Sequence, residues 1–194
     1  MARRLHSPPP VARRSRGFTL VELMIVVIIV GVLATIAVIS YRRIVQSSHV
    51  TEATSMVNNL RVAQEAYHSE TQTYAPCMGS ADLTAGWYPA ASTYGVVTQW
   101  GAACSGCQAG YDISTVLPVH VDGPVMFGYV TIAGAASATA TAIANNCGIA
   151  GLSSPLTEYY AIAAEGDLDG NTSTNTDVCA FSWTNQIVVA NEGL

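Results

Sequence analysis

Residues 17–41 read GFTLVELMIVVIIVGVLATIAVISY, and this stretch decides the architecture. Residues 23–41 are 19 in a row without a charge. As a helix, residues 18–41 would be about 36 Å long at about 1.5 Å per residue, enough to cross a bilayer core. One acid, Glu22, lies at the start of the span. An ionisable group there is costly, which marks it as a functional residue.

Outward to the N-terminal side, the chain opens MARRLHSPPPVARRSRG, which is basic, Pro-rich and not periodic. An ordinary secretory signal is basic, then apolar, and is cut after the apolar part. Here the basic part meets the apolar part at Arg16-Gly17-Phe18. Five of the eight Arg lie in these first 17 residues, against Arg42 and Arg43 at the far end of the span. The balance places the leader in the cytoplasm and the remainder outside the membrane.

There is no Lys. Beyond residue 17 three Arg stand against thirteen Asp and Glu, a formal side-chain charge of −10. A surface this acidic repels phosphate, so nucleic acid is not an expected partner.

Outward to the C-terminal side, the helix continues. Val45, Ala53, Met56, Val57, Leu60, Ala63 and Tyr67 recur mostly three or four apart, and no Pro or Gly falls between Val32 and Ala75. This predicts an amphipathic second half with one buried face over 42–70. His49 and His68 read as helix-surface residues. From Thr71 onward Gly, Ala, Ser and Thr dominate, and strand-like runs at 94–100, 124–132, 158–164 and 178–189 alternate with turns. The expected fold is α+β: a long N-terminal helix, transmembrane in its first half, packed against a head of about four antiparallel strands over 71–194.

Gly17-Phe18-Thr19-Leu20-Val21-Glu22, a basic leader before it and a long apolar helix after it together resemble the class III signal of type IV prepilins and pseudopilins. The resemblance is close over residues 13–43 and holds only in outline beyond. It implies that prepilin peptidase cuts between Gly17 and Phe18, removing residues 1–17, and N-methylates Phe18. It implies that Glu22 pairs with the Phe18 amine of a neighbouring subunit. The residues give the same pairing a physical reason. A carboxylate among apolar helices needs a cation, the span offers no Lys or Arg, and cleavage creates an amine at Phe18. The alternative is that Glu22 caps the start of its own helix. The chain departs from many family members in carrying Ile39 where they carry Pro.

The resemblance further implies a homo-oligomeric helical filament, extended by an inner-membrane assembly machine, with functions in adhesion and twitching motility. The single-pass precursor would lie in the inner membrane and the mature subunit in an extracellular pilus. A type II secretion pseudopilin and a minor pilin are the alternatives. A DNA-uptake minor pilin would need a basic tip, and the head after Arg61 has no Lys or Arg.

Five Cys, 77, 104, 107, 147 and 179, all follow the span. Exported, they are disulfide candidates. Cys147–Cys179 is the expected bridge, with Cys77 joined to Cys104 or Cys107. The Cys104-Ser105-Gly106-Cys107 pattern is followed by QAGYDI, which is no helix start, so it reads as a stapled loop rather than a redox motif. The run Glu165-Gly166-Asp167-Leu168-Asp169-Gly170-Asn171, with Asp177, alternates oxygen-bearing side chains. Asp167, Asp169, Asn171 and Asp177 are thus an expected Ca²⁺ site. It is not an EF-hand, because Thr172 and Val178 hold the places of its Gly and Glu. A hairpin turn reads equally well from Asp-Gly. Ser, His and Asp show no catalytic spacing, and the chain does not read as an enzyme.

Overall fold

The computed structural model describes residues 17–77, 86–89, 93–101, 112–136, 147–148, 155–171 and 174–192. The chain forms two compact units, Met1–Tyr41 and Arg42–Leu194.

Helix α1 runs Leu20–Thr71, 52 residues, through Ile39 without a break. In the first unit its side chains cover nothing: each residue from Gly17 to Tyr41 is exposed. In the second unit the same helix has a buried stripe of Val50, Ala53, Met56, Val57, Leu60, Ala63 and Gln64. The spacing is three or four along one face, as one-sided packing requires. The helix ends where Gln72 turns to φ 61°, its amide donating to His68 O at 2.9 Å. This is the left-handed cap that closes many helices.

The stripe packs on a four-stranded antiparallel meander of order β3-β4-β5-β6: Gly128–Gly134, Tyr159–Gly166, Thr176–Phe181 and Ile187–Ala190. Alternate side chains face opposite ways. Tyr129, Tyr160, Ile162, Ala164, Val178 and Ala180 join the helix core. Val130, Ile132, Tyr159, Ala161, Ala163, Cys179 and Phe181 form a second core on the other face, with Trp87 and Cys147. Both faces are covered, which is why β3 and β4 read as near-continuous apolar runs rather than alternating ones. Before the meander come β1 (Thr98–Gln99), the short helix α2 (Ile113–Val116) and β2 (Pro124–Val125), with β1 and β2 paired antiparallel. Asp112 caps α2, its side chain accepting from Ser114 N at 2.9 Å.

Three strand boundaries differ from the sequence reading. The run 94–100 shrinks to Thr98–Gln99, because Tyr94 and Gly95 (φ 70°) turn and Val96 and Val97 remain exposed. The run 124–132 breaks at Met126-Phe127 and continues to Gly134, with the Phe127 ring lying on Gly166 of β4. A Cβ at Gly166 would run into that ring, so a larger residue there would require Phe127 to shift. The run 178–189 is a hairpin, since residues 182–186, polar apart from Trp183, form its turn.

Gln64 occupies a core position that the apolar pattern omits. It is fully buried, donates through Nε2 to Ala75 O and Thr131 Oγ1, both at 2.9 Å, and accepts from Ala75 N at 2.9 Å. One side chain thus ties α1 to the segment after it and to β3. Gln64→Leu leaves the Ala75 amide buried without its partner, while the Ala75 carbonyl keeps the Cys77 amide at 3.1 Å. A loss of about 1–3 kcal/mol, the cost of one unsatisfied buried group, is expected, read as a lower melting temperature of the full chain in detergent.

Candidate functional site

The site is the start of α1. Thr19 and Glu22 close a reciprocal cap. Thr19 N and Thr19 Oγ1 donate to Glu22 Oε2 at 2.9 and 3.0 Å, and Glu22 N donates to Thr19 Oγ1 at 3.2 Å. The first helical bond, Leu23 N to Thr19 O, is 3.3 Å. Two amides that a helix start leaves without intrahelical partners, those of Thr19 and Glu22, are met this way. Sequence reading missed Thr19, although Thr-x-x-Glu ahead of an apolar run is the signal for such a cap. Gly17 and Phe18 precede the helix and are exposed, Phe18 at 81%.

From Leu23 to Tyr41 the helix surface is apolar apart from Thr35 and Ser40. Eighteen large apolar side chains from Phe18 to Ile44 are each more than half exposed. The helix is long and apolar enough to cross a membrane. Contiguous apolar surface on this scale marks contact with lipid or protein. Arg42 and Arg43 end the run, both exposed.

The cysteines divide. Cys147 and Cys179 are bonded across 32 residues, which pins Cys147 to the outer face of β5. Cys77 is a free, buried thiol, so the expected bridge from it to Cys104 or Cys107 does not form. It lies in the helix-side core, where the apolar surroundings hold it. Burial, and secondarily Asp112, push its thiol up to about 12, the opposite of a reactive cysteine. Cys104 and Cys107 lie outside the described residues.

The expected Ca²⁺ ligands are near one another in sequence but turned to different tasks. Asp167 is buried and its Oδ1 accepts from Gly170 N at 2.8 Å. Asp169 is exposed and its Oδ1 accepts from Asn171 N at 2.8 Å, while Asn171 Nδ2 donates to Thr174 Oγ1 at 2.8 Å. Asp177 stands on β5 directly across from Glu165 on β4. Among the described residues no three His, Cys, Asp or Glu side chains gather as a metal cage. The Oδ1 atoms of Asp167 and Asp169 thus both accept from amides of their own loop, as Asp side chains in turns commonly do.

The Glu165–Asp177 pair has its own consequence. Burial raises both carboxyls; Glu165 adds to the rise at Asp177, which reaches about 6, and Asn175 Nδ2, 2.9 Å from Glu165, opposes the rise there. A carboxyl whose folded pKa is raised binds more protons folded than unfolded, so stability falls as pH rises from about 4 through about 6. Asp177 is partly exposed, and solvent screening reduces the cost to about 1–2 kcal/mol. Asp177→Asn is expected to raise the melting temperature at pH 7 and to change it little at pH 4, as thermal melts of both chains would show.

A family model described as the prokaryotic N-terminal methylation motif matches residues 12–38. The type IV major pilin protein PilA of Myxococcus xanthus (strain DK1622) is 44% identical over 62 residues, 32% of this chain and 28% of that protein. A probable minor fimbrial protein of Dichelobacter nodosus is 49% identical over 53 residues, 27% and 33% of the two chains. Fimbrial protein EcpC of Eikenella corrodens is 36% identical over 92 residues, 43% and 60%. The chain thus spans less than two thirds of each of these relatives. No solved structure matches the chain.

Proposed function

We propose that this chain is a structural subunit of a type IV pilus, a reading supported by the match of residues 12–38 to the N-terminal methylation motif and by the N-terminal likeness to type IV pilin and fimbrial proteins. The observation that carries the reading is the uncovered apolar helix of residues 18–44 directly after the Gly17-Phe18 junction. A helix that buries nothing of its own must bury itself in lipid or among copies. The precursor holds the helix in the inner membrane with the head outside. Prepilin peptidase cuts Gly17–Phe18 and methylates the new amine. The helix then leaves lipid for the core of a helical filament, where Glu22 of one copy meets the Phe18 amine of the next. An inner-membrane machine drives the transfer, and the filament serves adhesion and twitching motility. A minor-pilin role is the second reading, favoured by the likeness to the Dichelobacter minor fimbrial protein.

Intact mass spectrometry on filaments sheared from cells, beside the membrane fraction, tests this. The expected result is a chain beginning at methylated Phe18 that dominates the sheared fraction. The same processed mass confined to the membrane and to trace filament would assign the minor role. An uncut Gly17–Phe18 bond would overturn the proposal. Glu22→Ala is expected to leave cleavage intact and to abolish filaments.

A further inference from the structure

Arg42 and Arg43 begin the first turn beyond the span, and both are exposed. With Arg61 they are the whole Lys and Arg content after residue 17. Among the described residues neither makes an ion pair; the pairs there are His49–Glu52 at 3.8 Å and His120–Asp122 at 3.4 Å. One turn on, Gln46 Nε2 donates to Leu168 O at 3.3 Å, which holds the 165–171 loop against α1 at the level of residue 46. Asp169, next to Leu168, is exposed.

The pilus reading, on which this inference rests, fixes how two copies line up. If Glu22 of one copy meets the Phe18 amine of the next, the parallel helices are offset by about four residues, or about 6 Å at about 1.5 Å per residue. The same offset brings Arg42 and Arg43 of the second copy level with Gln46 and Ser47 of the first. Side chains on both helices lean toward the N-terminus, so the match in level passes from backbone to side chain. At that level Gln46 of the first copy holds Leu168 O, and Asp169 is the exposed residue next in the chain.

We infer that the Arg42–Arg43 doublet docks on Asp169 of a second copy of this chain, forming an intersubunit contact in register with the Glu22–amine pair. The cation this loop meets is a guanidinium, which suits a carboxylate by charge and by its planar fork of donors. The two contacts lie about one span apart along the helix and enforce the same offset. Electrostatic complementarity of this kind sets register and rejects wrong alignments more than it adds raw affinity.

The test is charge reversal and swap in the full chain, expressed in cells that assemble the unmodified protein. Sheared filament, membrane abundance and intact mass are read together. Arg42→Glu/Arg43→Glu is expected to cut filament yield roughly tenfold or more, because like charges set across an interface repel. Cleavage and methylation at Phe18 should be unchanged. Adding Asp169→Arg should restore filaments. Asp169→Asn keeps the turn's acceptor oxygen and removes the charge, so it should reduce yield with the head still folded. Unchanged yield in the reversed doublet, or in Asp169→Asn, overturns the inference. So does a swap that fails to restore filaments; loss of membrane abundance in the doublet variant, indifferent to residue 169, would instead assign the arginines to anionic lipid headgroups. If the unmodified chain forms no filament, the pilus reading itself falls and takes the inference with it.

Discussion

The constraint behind everything else is apolar surface with no cover. Burying one Val, Leu, Ile, Phe or Met side chain is worth about 1.5–3 kcal/mol, and eighteen large apolar side chains from Phe18 to Ile44 are mostly exposed. Water cannot be the partner of this helix. Lipid tails and the helices of other copies are about equally apolar, however, so hydrophobic burial does not choose between them. Under the pilus proposal the choice would fall to the charged groups that flank the span, Glu22 at one end and Arg42 and Arg43 at the other. Where hydrophobic energy is nearly level, small electrostatic differences set direction and register.

The head faces a different problem, since Ala, Gly and Ser give it little bulk to bury. Its strands answer by being covered twice. Ala161, Ala163 and Ala164 of β4 are all buried, and small side chains let a helix on one face and a covering layer on the other come close. The Cys147–Cys179 bond fastens that outer layer to β5. Gln64, with Thr131 and the Ala75 backbone, gives the inner layer a directional contact that the small apolar residues cannot.

The long helix was legible because its two halves carry unmistakable patterns: nineteen uncharged residues, then apolar positions three and four apart. Ala53, Met56, Val57, Leu60 and Ala63 are buried as that spacing requires, while Val45 and Tyr67 are only half-buried at the ends of the stripe. Gln64 was illegible because its burial depends on partners eleven and sixty-seven residues away. The 94–100 run misled because Val96 and Val97 favour strand locally yet find no neighbouring strand among the described residues, and β propensity is realised only through one. In the acidic loop alternating oxygens describe a cation cage and an Asx-stabilised turn equally from composition, and the turn bonds of Asp167 and Asp169 became visible only in the structure.

Glu22 shows most clearly how one residue can satisfy two readings. A helix cap and an amine partner looked like alternatives when only residue types were visible. The coordinates separate their demands by atom. Both bonds from Thr19 end on Glu22 Oε2, and a carboxylate has acceptor sites on two oxygens. The cap therefore leaves Oε1 for a further donor and holds the side chain in one orientation while it waits. Fixing a rotamer-rich side chain at an interface costs about 0.5–1.5 kcal/mol. A Glu22 already fixed by Thr19 meets much of that cost within its own helix, before a second copy arrives. Under the pilus proposal the capping role would prepare the pairing role, and Thr19 would matter to assembly by positioning the acid rather than by touching a neighbour.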